Sequence, residues 1–332
     1  MIFKFNNVYI KDSIVVGGSL EWEVPLGKYF DSIDDCKDSC FENSEIDILK
    51  KSIDMLFEKN NLSESDINLA IGGELSNQLT TTSYTFRSLL IPLIGVYSAC
   101  STIALAMGIA SIFIENKICE KILAFTSSHN QSAERQFRNP IEYGGEKYDT
   151  QTFTSTIGAS TLITNDKSMV KISAFTIGKV IDVGFCDSMD FGRAMTPAAI
   201  ETLFEHFKSM NSKPKDYDLI LTGDLSRFGS KLVKEELEKE FGPVFNYEDC
   251  GLLLYDINEQ SVLAGGSGPG TSAAVLLGFI KKEIENRRFN RVLLCATGAL
   301  MNPTMINQKN SIPCIAHVIE LEVNKWFTFM LF

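Results

Sequence analysis

The chain has 332 residues, 45% of them apolar and 22% charged, so it is long and hydrophobic enough to bury a large core. Its 42 acidic against 31 basic residues give a formal charge of −11, and no Lys/Arg cluster stands out, which argues against a nucleic-acid partner because neutralising phosphates needs a basic face. Eight cysteines lie scattered, mostly in apolar stretches such as VLLCATG, the pattern of reduced core thiols rather than of a disulfide framework.

The opening segment, MIFKFNNVYI, alternates as a strand does and lacks the apolar core and cleavage site of a secretory signal. Cys36 and Cys40 follow in DDCKDSC, with neither a second pair nor a nearby histidine to complete a zinc site. SDINLAIGGELS (65–76) reads as a buried strand running into a Gly-rich turn that carries Glu74. GVYSACST (95–102) is a small-residue turn directly before a helix rich in Ala, Leu and Gly. A helix start gathers backbone N–H donors and lowers a thiol's pKa, so Cys100 and Ser101 stand where a nucleophile or an anion is expected; a buried, inert cysteine is the alternative. The longest apolar stretch, IALAMGIASIFI (103–114), falls well short of the ~20 residues that span a bilayer, so no membrane-spanning helix is expected.

KILAFTSS (121–128) is the next strand, and its carboxyl end leads through Ser128 and His129 into a long loop that reaches Thr156. Arg135, Arg138, Tyr143 and Lys147 lie on it. The segment offers a planar anion forked donors, hydroxyls and a flat wall, against the alternative that Arg135 and Arg138 hold Glu134 and Glu142 in a structural ion network. His206, in ETLFEHFKSM, is read as a surface or packing residue on an amphipathic helix. DYDLILTGDLS (216–226) then restates residues 65–76, with Asp224 facing Glu74; the matched acids suit a strand-end turn or a helix cap. GSGPGTSAA (266–274) places Ser267, Gly268 and Thr271 at the start of a second Ala/Leu/Gly helix. His317, in SIPCIAHVIELEV, either faces the site or fills the core, so His129 is the histidine best placed to reach Cys100. The tail from Trp326 to Phe332 is almost wholly apolar, either a docked or poorly ordered end or a short anchor for a membrane surface or partner.

The strongest feature is the repeat itself. CSTIALAMGIASIFIENKICEKILAFT (100–126) recurs without a gap as GTSAAVLLGFIKKEIENRRFNRVLLCA (270–296), so the chain divides into halves of 1–170 and 171–323 with an apolar tail of 324–332. Each half reads as strand, Gly-rich turn, helix and strand, the βαβ signature of a parallel sheet, and each alone leaves a sheet face bare. The expected α/β body packs two sheets around shared helices with pseudo-twofold symmetry, and its ligand site lies where strand-end loops of both halves meet.

The ACS turn on a duplicated βαβ scaffold resembles the thiolase and ketoacyl-synthase superfamily, which implies a thiolase-like fold layered α/β/α/β/α and a nucleophilic role for Cys100. Those enzymes take a His-Asn or His-His pair from their second half to move protons and hold the oxyanion. Here Gly268-Pro269-Gly270-Thr271-Ser272 stands where their Gly-Asn-Thr-Ser would, without the asparagine, and Thr222-Gly223-Asp224-Leu225 lacks the histidine. A narrower resemblance covers nearly the whole chain: GVYSACST, SSHNQSAERQFRNPIEYGGEKYDTQTFTSTIGA, GSGPGTSAA and ATGALMNPTMINQKNSIPCIAHVIELE resemble the stage V sporulation protein AD family, the thiolase-like subunits of spore dipicolinate uptake. That resemblance implies a non-catalytic protein that binds pyridine-2,6-dicarboxylate, free or chelated to Ca²⁺, without a cofactor of its own. It also implies a peripheral place at the inner spore (forespore) membrane beside membrane-embedded subunits, and self-association as a homodimer. The residues expected at the ligand are Cys100, Ser101, Ser128, His129, Arg135, Arg138, Asp224, Ser267, Gly268 and Thr271; the alternative is acyl transfer through Cys100.

Overall fold

The structure, a computed structural model, describes residues 1–37 and 40–328. Its first part contains strands β1 (Ile2–Lys4), β2 (Tyr9–Gly17), β3 (Ser32–Ile33), β4 (Leu69–Gly73), β5 (Leu93–Gly95), β6 (Lys121–Ser128), β7 (Phe153–Thr154) and β8 (Ile157–Thr164). Helices α1 (Ser19–Trp22), α2 (Phe41–Asn60), α3 (Thr80–Phe86), α4 (Thr102–Glu115) and α5 (Asn130–Phe137) lie between them. The second part contains β9 (Val170–Ile177), β10 (Leu219–Thr222), β11 (Tyr247–Asp249), β12 (Gly266–Ser267), β13 (Arg291–Ala299) and β14 (Cys314–Val323). Its main helices are α6 (Phe191–Met210), α7 (Ser226–Phe241), α8 (Cys250–Leu254) and a continuous rod built from α9 (Pro269–Ala273), a π-helical stretch (Ala274–Ile280) and α10 (Lys281–Glu285).

The strands run in the order β11-β10-β13-β14-β9-β2-β8-β6-β4-β5. Under the sequence repeat this order is palindromic: β4 answers β10, β6 answers β13, and the axis falls between β2 and β9. The halves join where β9 pairs with β2, at Tyr9 with Lys171 and Ile10 with Val170, and with β1, from Ile2 with Thr176 to Lys4 with Ala174, so the expected two sheets form one path bent around the helices they share.

Alternation along the strands sorts side chains into layers. Ile122 and Ala124 of β6 face the same central cluster as Val292, Leu294 and Ala296 of β13. That cluster encloses α4 and the rod 269–285, with Ile103, Met107, Ala110, Val275, Leu277 and Ile280 fully buried. Leu123 and Phe125 face the opposite way, onto Ile48, Leu49, Ile53 and Leu56 of α2. Leu293 and Cys295 likewise face Met195, Ala199, Leu203 and Phe207 of α6. The result is the five-layer α/β/α/β/α arrangement. Gly108 belongs to this packing: a Cβ there would lie 2.4 Å from the Phe175 ring, so α4 sits against β9 only because the side chain is missing.

The repeat is also written in polar caps. Helices α2 and α6 have equal length, and each ends on an asparagine in the left-handed region, Asn61 (φ 51°) and Asn211 (φ 52°). Asp66 and Asp216 then accept the N–H groups of Ser63 and Lys213, both at 2.8 Å. Asn68 accepts the N–H groups of Glu120 and Lys121, as Asp218 does those of Asn290 and Arg291.

Among the described residues no helix is long and apolar enough to cross a membrane. Of the expected tail, Asn324 Oδ1 accepts the Trp326 N–H at 3.1 Å and Lys167 Nζ stands 4.9 Å from the Trp326 ring centroid, while residues 329–332 lie outside the described residues.

Candidate functional site

Strands β6 and β13 run antiparallel along the bent sheet, yet their carboxyl ends meet across the shared helices: Gly268 and Gly270 pack against Ser128, and Gly298 packs against Ser98 and Ser101. The turn before α4 is held by its own hydroxyls: Ser101 Oγ donates to the Ser98 carbonyl at 2.7 Å, and Thr102 Oγ1 to the Ala99 carbonyl at 2.7 Å. Ala99 takes φ 47°, a left-handed conformation unusual for alanine, and this kink sets Cys100 at the apex. From the other half, Gly268 at φ 94° turns the chain from β12 into α9. The pairing of Gly266 with Phe153 and Ser267 with Thr154 ties that turn to the long loop of the first half.

Together these segments line a cavity of about 30 Å³, bounded by Cys100, Arg138, Thr154 and Ser267 and by apolar side chains that include Phe137, Phe191, Met195 and Met301. One ordered water needs roughly 10–15 Å³ on this scale, so the space accommodates one to three waters. A ring-sized ligand requires the wall to move, and two of its members are methionines, the most adaptable apolar side chains.

Asp224 lies against Cys100 behind the cavity wall. It is 1% exposed; Oδ1 accepts from Thr297 Oγ1 at 2.7 Å and Oδ2 from the Gly268 N–H at 3.2 Å, and the Cys100 thiol hydrogen-bonds to the same carboxyl. Burial raises the Asp224 pKa to about 6 despite these donors. Burial and the neighbouring Asp224 push the Cys100 thiol well above its ordinary value, so the cysteine is held as a thiol rather than a thiolate.

Arg138 supplies the cation. It follows the last residue of α5 in a non-helical conformation (φ −128°, ψ −106°) that turns it inward, and its side chain is 5% exposed. Nη1 donates to Glu134 Oε1 at 2.6 Å, Nη2 reaches Thr152 Oγ1 only at 3.5 Å, and Nε is buried without a partner. The guanidinium lies 4.9 Å from the centroid of the Phe191 ring. Its other side lines a shallower groove with Lys147 and Gln151, so Arg138 stands between the surface and the cavity.

The remaining sequence candidates take other places. Ser128 Oγ donates to the Ser155 carbonyl at 2.7 Å and Thr271 Oγ1 to the Ser267 carbonyl at 2.6 Å, so with Ser101 they brace the turns behind the cavity wall. Arg135 pairs with Glu42 on the surface and lies over the Phe41 ring. His129 stacks on the same Phe41 ring, 5.8 Å between centroids, and lines a separate cleft with Glu21 and Asn130; burial lowers its pKa to about 4. His317 accepts the Gly178 N–H on Nδ1, which leaves the proton on Nε2 for Ser98 Oγ at 3.0 Å, and burial lowers it too, to about 4. His206, read from sequence as surface or packing, is fully buried in a network with Thr176, Tyr217 and Glu320. None of the three histidines lines the Cys100 cavity.

One buried acid, Glu45, escaped the sequence reading. Glu45 of α2 accepts from Ser127 Oγ at 2.9 Å and Ser132 Oγ at 3.0 Å, and burial together with the nearby Glu74 raises it to about 8. Glu74, raised by burial to about 7, bonds to Thr82 and leaves Oε1 unpartnered. The available signal was helical spacing: Glu45 lies three and four residues before Ile48 and Leu49, on the buried face of α2.

The family model described as Stage V sporulation protein AD matches residues 1–322. The Stage V sporulation protein AD of Bacillus subtilis (strain 168) is 42% identical over 319 residues, covering 95% of this chain and 94% of that protein. Among solved structures, cerulenin-bound OleA of Xanthomonas campestris superposes with a TM-score of 0.62 at 14% identity, over 96% of this chain and 98% of that one. The 3-oxoacyl-[acyl-carrier-protein] synthase III of Aquifex aeolicus VF5 gives 0.53 at 11% identity, over 97% and 99%. At such identities these structures establish the shared fold and no shared chemistry.

Proposed function

This chain belongs to the stage V sporulation protein AD family, and we propose that within it the chain is a non-catalytic binding protein for pyridine-2,6-dicarboxylate, the dipicolinate of spores. The observation that carries the reading is Arg138, a buried guanidinium at the cavity wall. Glu134 engages Nη1, while the Nε/Nη2 edge, the one that matches a carboxylate in a bidentate pair, has one unpartnered and one weakly partnered nitrogen. Thr154, Ser267 and the Cys100 thiol add polar contacts, and Phe137 and Phe191 add flat apolar walls for a ring.

Binding rather than acyl transfer is favoured by the state of the cysteine. A nucleophilic thiol needs a base or a lowered pKa, whereas Cys100 is raised and bonded to a carboxyl. In this reading Cys100 is a polarizable donor in the wall. Calcium enters as the companion of the ligand, not as a resident cofactor. The protein works at the forespore membrane beside membrane-embedded subunits that move the ligand across.

Calorimetric titration with dipicolinate, using isophthalate as the control that keeps both carboxylates and lacks the ring nitrogen, tests the proposal. Selective binding that weakens about tenfold in Arg138→Lys and further in Arg138→Ala is expected, because lysine keeps the charge and loses the bidentate edge. Equal binding by the wild type and Arg138→Ala overturns the site; no binding by the wild type overturns the function.

A further inference from the structure

Behind the Cys100 wall of the cavity stands an acid, Asp224, an odd neighbour for the site of a dianionic ligand. Any carboxylate that reaches Cys100 stands within two hydrogen-bond lengths of Asp224, roughly 6 Å. At that separation, away from bulk water, two like charges disfavour one another by more than tenfold in equilibrium terms. The cavity can relieve this repulsion only by moving an acid away or by neutralising it. Asp224 is fixed by Thr297, the Gly268 N–H and Cys100, on three different segments, so movement is blocked.

We propose that the site takes up its dicarboxylate together with one proton, and that Asp224 holds that proton. The inference rests on the binding reading above and deepens it. Asp224 titrates near pH 6 without ligand, so it is mostly ionised at neutral pH and available to accept a proton when a second anion arrives. The titratable neighbours on the packed segments are Cys100 before α4, Asp249 at the end of β11, Cys250 of α8 and Cys314 of β14, with Arg138 as the cation. The three thiols are pushed up by burial and stay protonated with or without ligand, so they exchange no proton. Asp249 is engaged by Thr222 Oγ1 and by the N–H groups of Leu225, Ser226 and Gly251, one residue layer further from the ligand. Glu134 keeps its ion pair with Arg138 on Nη1 while the ligand takes the opposite edge.

Once protonated, Asp224 no longer opposes a carboxylate on the far side of Cys100, so the acid stops selecting against the anion. Because affinity then depends on proton supply, the site holds its ligand in a mildly acidic medium and releases it in a more alkaline one. The sign follows from linkage: a group whose pKa rises on binding makes affinity fall as pH climbs from the free to the bound value.

The test is dipicolinate titration by calorimetry in phosphate and in Tris, whose different ionisation heats report protons exchanged, from pH 6.5 to 8.5. Ligand carboxyls are ionised throughout that range, since such groups titrate near pH 4. The wild type is expected to take up close to one proton per ligand at pH 7.5 and therefore to lose roughly thirty- to eightyfold in affinity across the range. Asp224→Asn is expected to bind without proton uptake and with an affinity that pH does not change. Binding by the wild type with no buffer dependence overturns the inference and leaves the function standing, whereas no binding at any pH overturns the function itself. Uptake that persists in Asp224→Asn overturns the assignment to Asp224. If Asp224→Asn does not fold, the wild-type buffer series alone still decides whether a proton is taken up, and Glu134→Gln and Asp249→Asn decide where: loss of uptake in either overturns the assignment.

Discussion

Glu45 offers a test of the interior that is independent of any ligand. It is 1% exposed, accepts only two serine hydroxyls and lies close to Glu74, and its pKa rises from the ordinary 4.5 to about 8. The folded protein therefore keeps a proton that the unfolded chain releases between those values. Stability is then greatest at low pH and declines as pH rises from 4.5 towards 8, at up to ~1.4 kcal/mol per unit. From pH 5 to pH 8 this single group costs about 3–4 kcal/mol, a large share of the stability of a typical domain. Glu45→Gln removes the charge and keeps a carbonyl for the two hydroxyls. Urea unfolding followed by circular dichroism at each pH unit from 5 to 8 is expected to show the variant gaining about 3 kcal/mol on the wild type across the range. Parallel pH dependences for the two proteins would refute the buried, proton-holding carboxyl.

Gly108→Ala should cost about 1–3 kcal/mol because its Cβ meets the Phe175 ring at 2.4 Å, whereas the repeat partner Gly278→Ala, with nothing nearer than 3.5 Å, should be neutral or gain up to ~1 kcal/mol; equal shifts in a thermal melt would contradict the packing. Cys100 should react with iodoacetamide more slowly than a free thiol at pH 8, and Asp224→Asn should speed it by removing a neighbouring negative charge. Slower or unchanged alkylation in the variant, read by peptide mass analysis, would count against the contact. Incubation with a panel of acyl-CoA donors should leave the intact mass unchanged, and a Cys100-dependent adduct would restore acyl transfer.

Much of this architecture was legible in the residues because repeated apolar strands and glycine turns leave a periodic trace. The polar interior left less. Arg135 and Arg138 differ by three positions and have the same chemistry, yet one meets Glu42 at the surface and the other enters the cavity. What separates them is the end of α5, where the chain leaves the helix between the two. That boundary depends on backbone torsions no motif records. His129 was attractive because it follows a strand end and His317 because it lies in the final strand, but the direction of each side chain is set by partners distant in sequence, Phe41 and Ser98.

The duplication also accounts for there being one Cys100 cavity rather than two. A shift of 150 residues sets Met195 opposite Glu45 and Asp224 opposite Glu74, and a shift of 170 sets Thr297 opposite Ser127. In the first half the helix contributes an acid: Glu45 takes the Ser127 hydroxyl and seals the interior against Glu74. In the second half the helix contributes Met195, an apolar wall, and the Thr297 hydroxyl turns instead to Asp224. The same scaffold thus puts an acid on the helix face of one half and an apolar Met195 at the matching place of the other, with Asp224 against Cys100. A cavity arises where the repeat is broken, because symmetric halves would fill both interiors with the same side chains.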